Sequence, residues 1–119
     1  MLSKIVGFHL KRDSLNVGKH HPASNTAAVV TLTGAALTKY VIQSIQWSYD
    51  TAPTGGNLKI ERGATTDWSV SITTAGPGGF SFILPGNTNE NVVVTLAAGG
   101  AGVTGKLNIQ YTTESTRSK

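Results

Sequence analysis

The chain has 119 residues, no cysteine and a net charge of +4. Without cysteine it builds neither a disulfide scaffold nor a thiolate metal centre, and no apolar run reaches the ~18 residues of a membrane-spanning helix. Only 13% of residues are charged and 14 are glycine. With abundant Thr, Ser, Ala and Val, this composition suits short strands and tight turns better than helices or disorder.

Residues 1–25 differ from the rest. Ile5, Val6, Phe8 and Leu10 make a short strand candidate that Gly7 weakens. Asp13 to Asn25 has no clear period and ends in breakers, so it is read as an irregular connection. The whole segment is expected to be a basic N-terminal arm. Lys4, Lys11, Arg12 and Lys19 there face a single acid, Asp13. The start of the chain lacks an apolar core and a small-residue cleavage site, and is read without a signal peptide.

From residue 26 to 112 apolar residues recur at period two, the pattern of half-buried strands. Ala28, Val30 and Leu32 lead to a stop at Gly34. Ala35 to Thr38 reads as a turn or short bend. Lys39 to Asp50 is the longest strand candidate, with Val41, Ile45, Trp47 and Tyr49 on one face and Gln43 breaking the pattern. Pro53, Gly55 and Gly56 mark a connection. Leu58 and Ile60 follow, then Gly63 and Ala64 turn the chain into Trp68, Val70 and Ile72.

Thr74 to Gly79 reads as a Gly/Pro turn outside any strand. It leads to Phe80 and Phe82, and the two strands it joins are expected to place their aromatics on one core face. Ile83 points the other way and asks for a cover, so an exposed Ile83 would call for a neighbouring subunit. Val92, Val94 and Leu96 form a further strand, with Val93 suggesting burial on both sides. Leu107, Ile109 and Tyr111 close the series. Short strands at spacings of roughly ten residues predict an all-β fold, an antiparallel β-sandwich or jelly roll of seven to eight strands. Residues 113–119 are expected to be a polar tail. Charges balance across 26–112, so the basic excess lies at the termini and suits an acidic partner surface.

Gly100, Gly102 and Gly105 satisfy G-x-G-x-x-G, and Gly105-Lys106 nearly completes a P-loop. Phosphate binding needs that loop to open into a helix. Here it opens into an alternating strand, and Leu107 stands where a hydroxyl would hold Mg²⁺. His9, His20 and His21 all fall in the arm, and adjacent His20 and His21 diverge in an extended chain, a poor chelate. No G-x-S-x-G elbow or paired carboxylates define a catalytic site. The aromatics fall on inferred core faces, so no base-stacking platform is expected. The sequence is read as a non-enzyme with no cofactor, no metal, no membrane contact and no direct nucleic-acid contact.

Ser48 to Leu58, Ala75 to Phe80 and Val94 to Asn108 resemble small β-sandwich structural proteins of tailed-bacteriophage virions: capsid decoration (cement), head-fibre or tail components. The resemblance implies a virion protein, assembled in the host cytoplasm, that binds the major capsid protein or another virion protein and forms a homo-oligomer, with a trimer favoured. The expected contact residues are those of the arm: Lys4, Ile5, Phe8, Leu10, Lys11 and Arg12. A tail, fibre or neck component stands as the alternative. It includes a glycan- or receptor-binding module using the loop with Asn87 and Asn89.

Overall fold

The period-two segments form strands in the computed structural model, which describes residues 15–115. Eight strands are found there: β1 (Asn16–His20), β2 (Ala28–Leu32), β3 (Thr38–Tyr49), β4 (Gly56–Arg62), β5 (Thr65–Ile72), β6 (Gly76–Pro85), β7 (Val92–Leu96) and β8 (Gly105–Ser115). They form two four-stranded sheets, ordered β1-β8-β3-β6 and β2-β7-β4-β5. All pairings are antiparallel.

The pairs β1–β8, β2–β7, β3–β6 and β4–β5 are nested, as in one long hairpin with its tip between β4 and β5. Rolling that hairpin up adds β3–β8 and β4–β7 and gives the topology of a jelly roll. The tip is a two-residue loop, since Arg62 pairs with Thr65. Gly63 has φ of 61° there, the positive value that a II′ turn demands at its first central residue.

The core lies between the sheets. Leu58, Ile60, Val94 and Leu96 of one sheet meet Ile42, Ile45, Tyr49, Leu107 and Ile109 of the other, all essentially inaccessible. The break at Gln43 is a β-bulge between Ile42 and Ser44, with Gln43 the extra residue against β8, while the register with β6 shifts the other way, two residues of β6 facing Gln43 alone. The extra residue flips the inward parity. Ile42 faces the core before it, and Ile45 and Tyr49 after it. The glycines of the would-be phosphate loop lead into β8. Gly105 is a buried strand residue against Leu96 and Tyr49.

Two expectations change. The segment read as irregular contains β1, paired with β8 from Asn16↔Tyr111 to His20↔Leu107. Its inward residue is Gly18, where a Cβ would lie 2.7 Å from Val30 Cγ1. Its apolar residue, Val17, faces out and is 60% exposed. The usual hydrophobic signal is therefore inverted. The earlier strand candidate, Ile5 to Leu10, lies outside the described residues, as do residues 116–119.

The Gly/Pro turn is also corrected: Gly76 to Gly79 are the first residues of β6. Because β6 ends its sheet, Pro77 is tolerated without a central ladder bond. β5 and β6 belong to opposite sheets, so the link between them crosses the sandwich and does not close a hairpin. Ala36 and Leu37 form the expected turn, with Leu37 at φ 56°.

Candidate binding surface

β5 ends one sheet and β6 the other, and between them runs a seam of aromatic side chains. The alternation that aims Trp68 inward from β5 and Phe80 and Phe82 inward from β6 makes these rings meet across the gap. Trp68 contacts Phe80 edge-on at 5.2 Å between centroids and Phe82 at 5.9 Å. Trp47 of β3 adds a tilted contact to Phe80 at 5.3 Å. Such separations are favourable for aromatic pairs.

These aromatics were expected to be core. They pack on its margin instead: Trp47, Trp68 and Phe82 are half-buried, and Phe80 is 41% exposed. An edge strand has no neighbour to cover its last row of side chains, which the alternation of the sequence does not reveal. Ile83, on the outer face of β6, is 73% exposed. This meets the condition set above for seeking a neighbouring subunit.

The seam opens into two clefts. One, of about 240 Å³, is lined by Asp67, Trp68, Phe82, Ile83 and Leu84. The other, of about 270 Å³, lies between Trp47, Phe80, Pro77 and the chain from Val70 to Thr74. Both fall just below the ~300 Å³ where small-molecule sites begin. They suit single side chains of a docking partner better than an enclosed ligand. Arg62 flanks the first cleft and grips Asp67 with two bonds, Nε–Oδ2 at 2.8 Å and a second guanidinium nitrogen to Oδ1 at 3.1 Å. This planar two-point geometry fixes both charges on each other.

A separate, shallow groove of about 570 Å³ crosses the outer face of the β1 sheet. Register places Asn108, Gln46 and Gly79 in one row across it and Ser48 and Pro77 in the next, which continues to Lys106 outside the lining. Gly79 leaves its floor open, and its lining of Gln46, Ser48, Asn108 and Pro77 carries no charge.

The other singled-out residues have structural partners. His20 Nδ1 accepts the backbone N–H of Val29 at 2.9 Å and joins the edges of β1 and β2. His21 Nε2 lies 3.0 Å from Asn108 Oδ1. The two imidazoles thus serve different partners. Asn89 adopts φ 65° and its Oδ1 accepts the Leu37 N–H, so the glycan-loop candidate is committed to holding a turn. Asp50 Oδ1 accepts the Thr104 N–H at 2.8 Å. Tyr49 is buried and donates to the Ala97 carbonyl at 2.6 Å, and burial raises its phenol above the ordinary value of 10.0. Among the described residues, no three His, Asp or Glu side chains converge as a metal cluster would. The expected contact residues Lys4, Ile5, Phe8, Leu10, Lys11 and Arg12 lie outside the described residues.

The sequence matches no protein-family model and no curated protein. Solved structures share the architecture. A chain of the acid-stable capsid of Helicobacter pylori bacteriophage KHP30 aligns with a TM-score of 0.50 and 13% identity, over 85% of this chain and 90% of that one. A Bacillus endospore-appendage pilus chain aligns at 0.48 and 18% identity, over 85% and 90%. The CBM36-1 domain of a multidomain xylanase from the hindgut metagenome of Trinervitermes trinervoides aligns at 0.44 and 10%, over 84% and 95%. At these identities the likeness concerns the fold alone.

Proposed function

We propose that this protein is a non-enzymatic structural protein of a tailed-phage virion that decorates the outer surface of the capsid. The observation that carries this reading is the apolar margin of the jelly roll: Phe80 and Ile83 stand exposed on a strand that ends its sheet. Such a surface is built for contact with protein. The phage-capsid chain of the same architecture supports the setting, and jelly rolls recur in capsids. Among the described residues the charges balance. The basic residues Lys4, Lys11 and Arg12 precede them and would meet an acidic shell.

The mechanism is mass action. A protein that binds across neighbouring capsomers only in the assembled lattice stabilises that lattice. Many copies, as trimers or otherwise, give avidity from modest contacts. The test is co-sedimentation with capsids of the intact chain and of a truncation lacking residues 1–14, which spares β1. The truncated body is expected to stay folded and to lose binding. Full occupancy by the truncation would defeat the assignment of the contact to Lys4, Ile5, Phe8, Leu10, Lys11 and Arg12.

A second reading has its own observation. The uncharged groove with Gln46, Ser48 and Asn108 offers amide and hydroxyl partners for sugar hydroxyls, as a tail or fibre module would need. Retention on a glycan array, abolished by N108A, would favour it. Jelly rolls also serve lectins, so the fold alone does not separate the two.

A further inference from the structure

We propose that the groove on the outer face of the β1 sheet takes an acidic glycan, with sugar hydroxyls over Gln46, Ser48 and Asn108 and anionic groups held by Lys19 and Lys106. Register lays out the surface. Gly79, Gln46, Asn108 and Lys19 form one row across β6, β3, β8 and β1. Pro77, Ser48 and Lys106 form the next. Both rows begin in the uncharged lining of the groove and end in a lysine. The longer row spans three strand spacings, about 14 Å at ~4.8 Å each, which suits a short oligosaccharide.

Both lysines are available for such a contact. Among the described residues the ion pairs take Lys39, Lys59 and Arg62, while Lys19 and Lys106 stand exposed. They flank Asn108 from two sides. Lys19 is opposite it on β1, and Lys106 is two residues before it on the same face of β8. The Cβ atoms of such neighbours lie ~5–7 Å apart, so both ammonium groups reach the space above Asn108. Of the acids near this face, Glu114 is held by Lys39 further along β8. Asp50, two residues past Ser48, accepts the Thr104 N–H through Oδ1 at 2.8 Å.

The polar groups between the lysines favour a glycan over a nucleic acid. His21 Nε2 lies 3.0 Å from Asn108 Oδ1, so the amide oxygen is engaged and its two N–H donors are left for a ligand. Gln46 adds an amide and Ser48 a hydroxyl, each able to donate and to accept, as the hydroxyls of a sugar require. Nucleic-acid strands are held by aromatic platforms on which bases stack. The aromatic ring in this groove, Trp47, is packed against Gly78 and Phe80 instead.

Resting on the glycan reading of the groove, this assignment is tested on an array of uronate-containing, sialylated and sulfated glycans, each beside its neutral parent. The intact chain is expected to hold at least one acidic glycan about tenfold more tightly than its parent, at about threefold for each exposed charge pair. That advantage should fade with added salt. K19Q and K106Q, folded by circular dichroism, are expected to lose about threefold each on the acidic glycan and nothing on the parent. D50N, which removes the nearby negative charge, is expected to bind the acidic glycan more tightly. Equal retention of acidic and neutral glycans, abolished by N108A, would overturn the role of the lysines and leave the groove reading standing. Retention of no glycan would overturn both. An oligodeoxynucleotide of matched charge held more tightly than every glycan would assign the face to nucleic acid and overturn the proposal.

Discussion

The indole of Trp47 lies across Gly78 so closely that a Cβ on that glycine would come within 2.4 Å of Cζ2. The ring is rigid and wedged against Phe80, so it cannot give way as a flexible side chain would. G78A is expected to lower stability by about 1–3 kcal/mol, the usual cost of overpacking. Chemical denaturation, with near-UV circular dichroism reporting the indole, would show it. An unchanged midpoint would mean that the ring is not pinned.

Trp68 is the element that ties β5 to β6, two strands that share no ladder. W68A is expected to cost about 2–4 kcal/mol, near the lower part of the range for large aromatic truncations because the ring is half-buried. F80A should cost less. A double-mutant cycle between them is expected to return a coupling of about 0.5–1.5 kcal/mol. Strict additivity would remove the seam as a unit of stability.

Tyr49 predicts alkaline behaviour. Burial raises its phenol above 10.0, so the folded state favours the protonated form. That stability is complete below the unfolded value of 10.0 and is lost as pH climbs through the higher folded value. Unfolding is therefore expected to become easier above about pH 10. Y49F should flatten this limb while costing about 1 kcal/mol at neutral pH through the lost bond to Ala97. Thermal melts across an alkaline series would decide.

The Arg62–Asp67 pair closes the β4–β5 hairpin. Both groups are partly solvated, so the expected cost of D67N is only about 0.5–1 kcal/mol. The loss should shrink near molar salt, where screening reaches ~3 Å. A salt-independent effect of several times that size would indicate a role beyond the ion pair, such as shaping the cleft beside Trp68.

The seven strands from β2 to β8 were legible because alternation survives in each. Even the exception at Gln43 had meaning, since one residue out of step is what a bulge looks like in sequence. β1 was hidden because it turns Gly18 inward and Val17 outward. Gly76 to Gly79 were misread because edge position, which excuses Pro77, is a property of topology and cannot be seen in local residues. The seam was half legible. Its aromatics were named and their inward direction was right, but whether a strand ends a sheet decides how far its rings are covered. The Asn89 bond needed the fold itself, since it joins segments 52 residues apart in the chain; the His20 bond, spanning only nine residues, was hidden with β1.

β1 has a mechanical consequence. It meets β8 through five register pairs, and its inward Gly18 offers no side chain to interlock with the core. Tension entering from the N-terminal side, along the strand, loads those backbone bonds in shear, all at once. The strength of such a tether is then set by the length of β1 and by the side-chain bond between His20 and the backbone of β2.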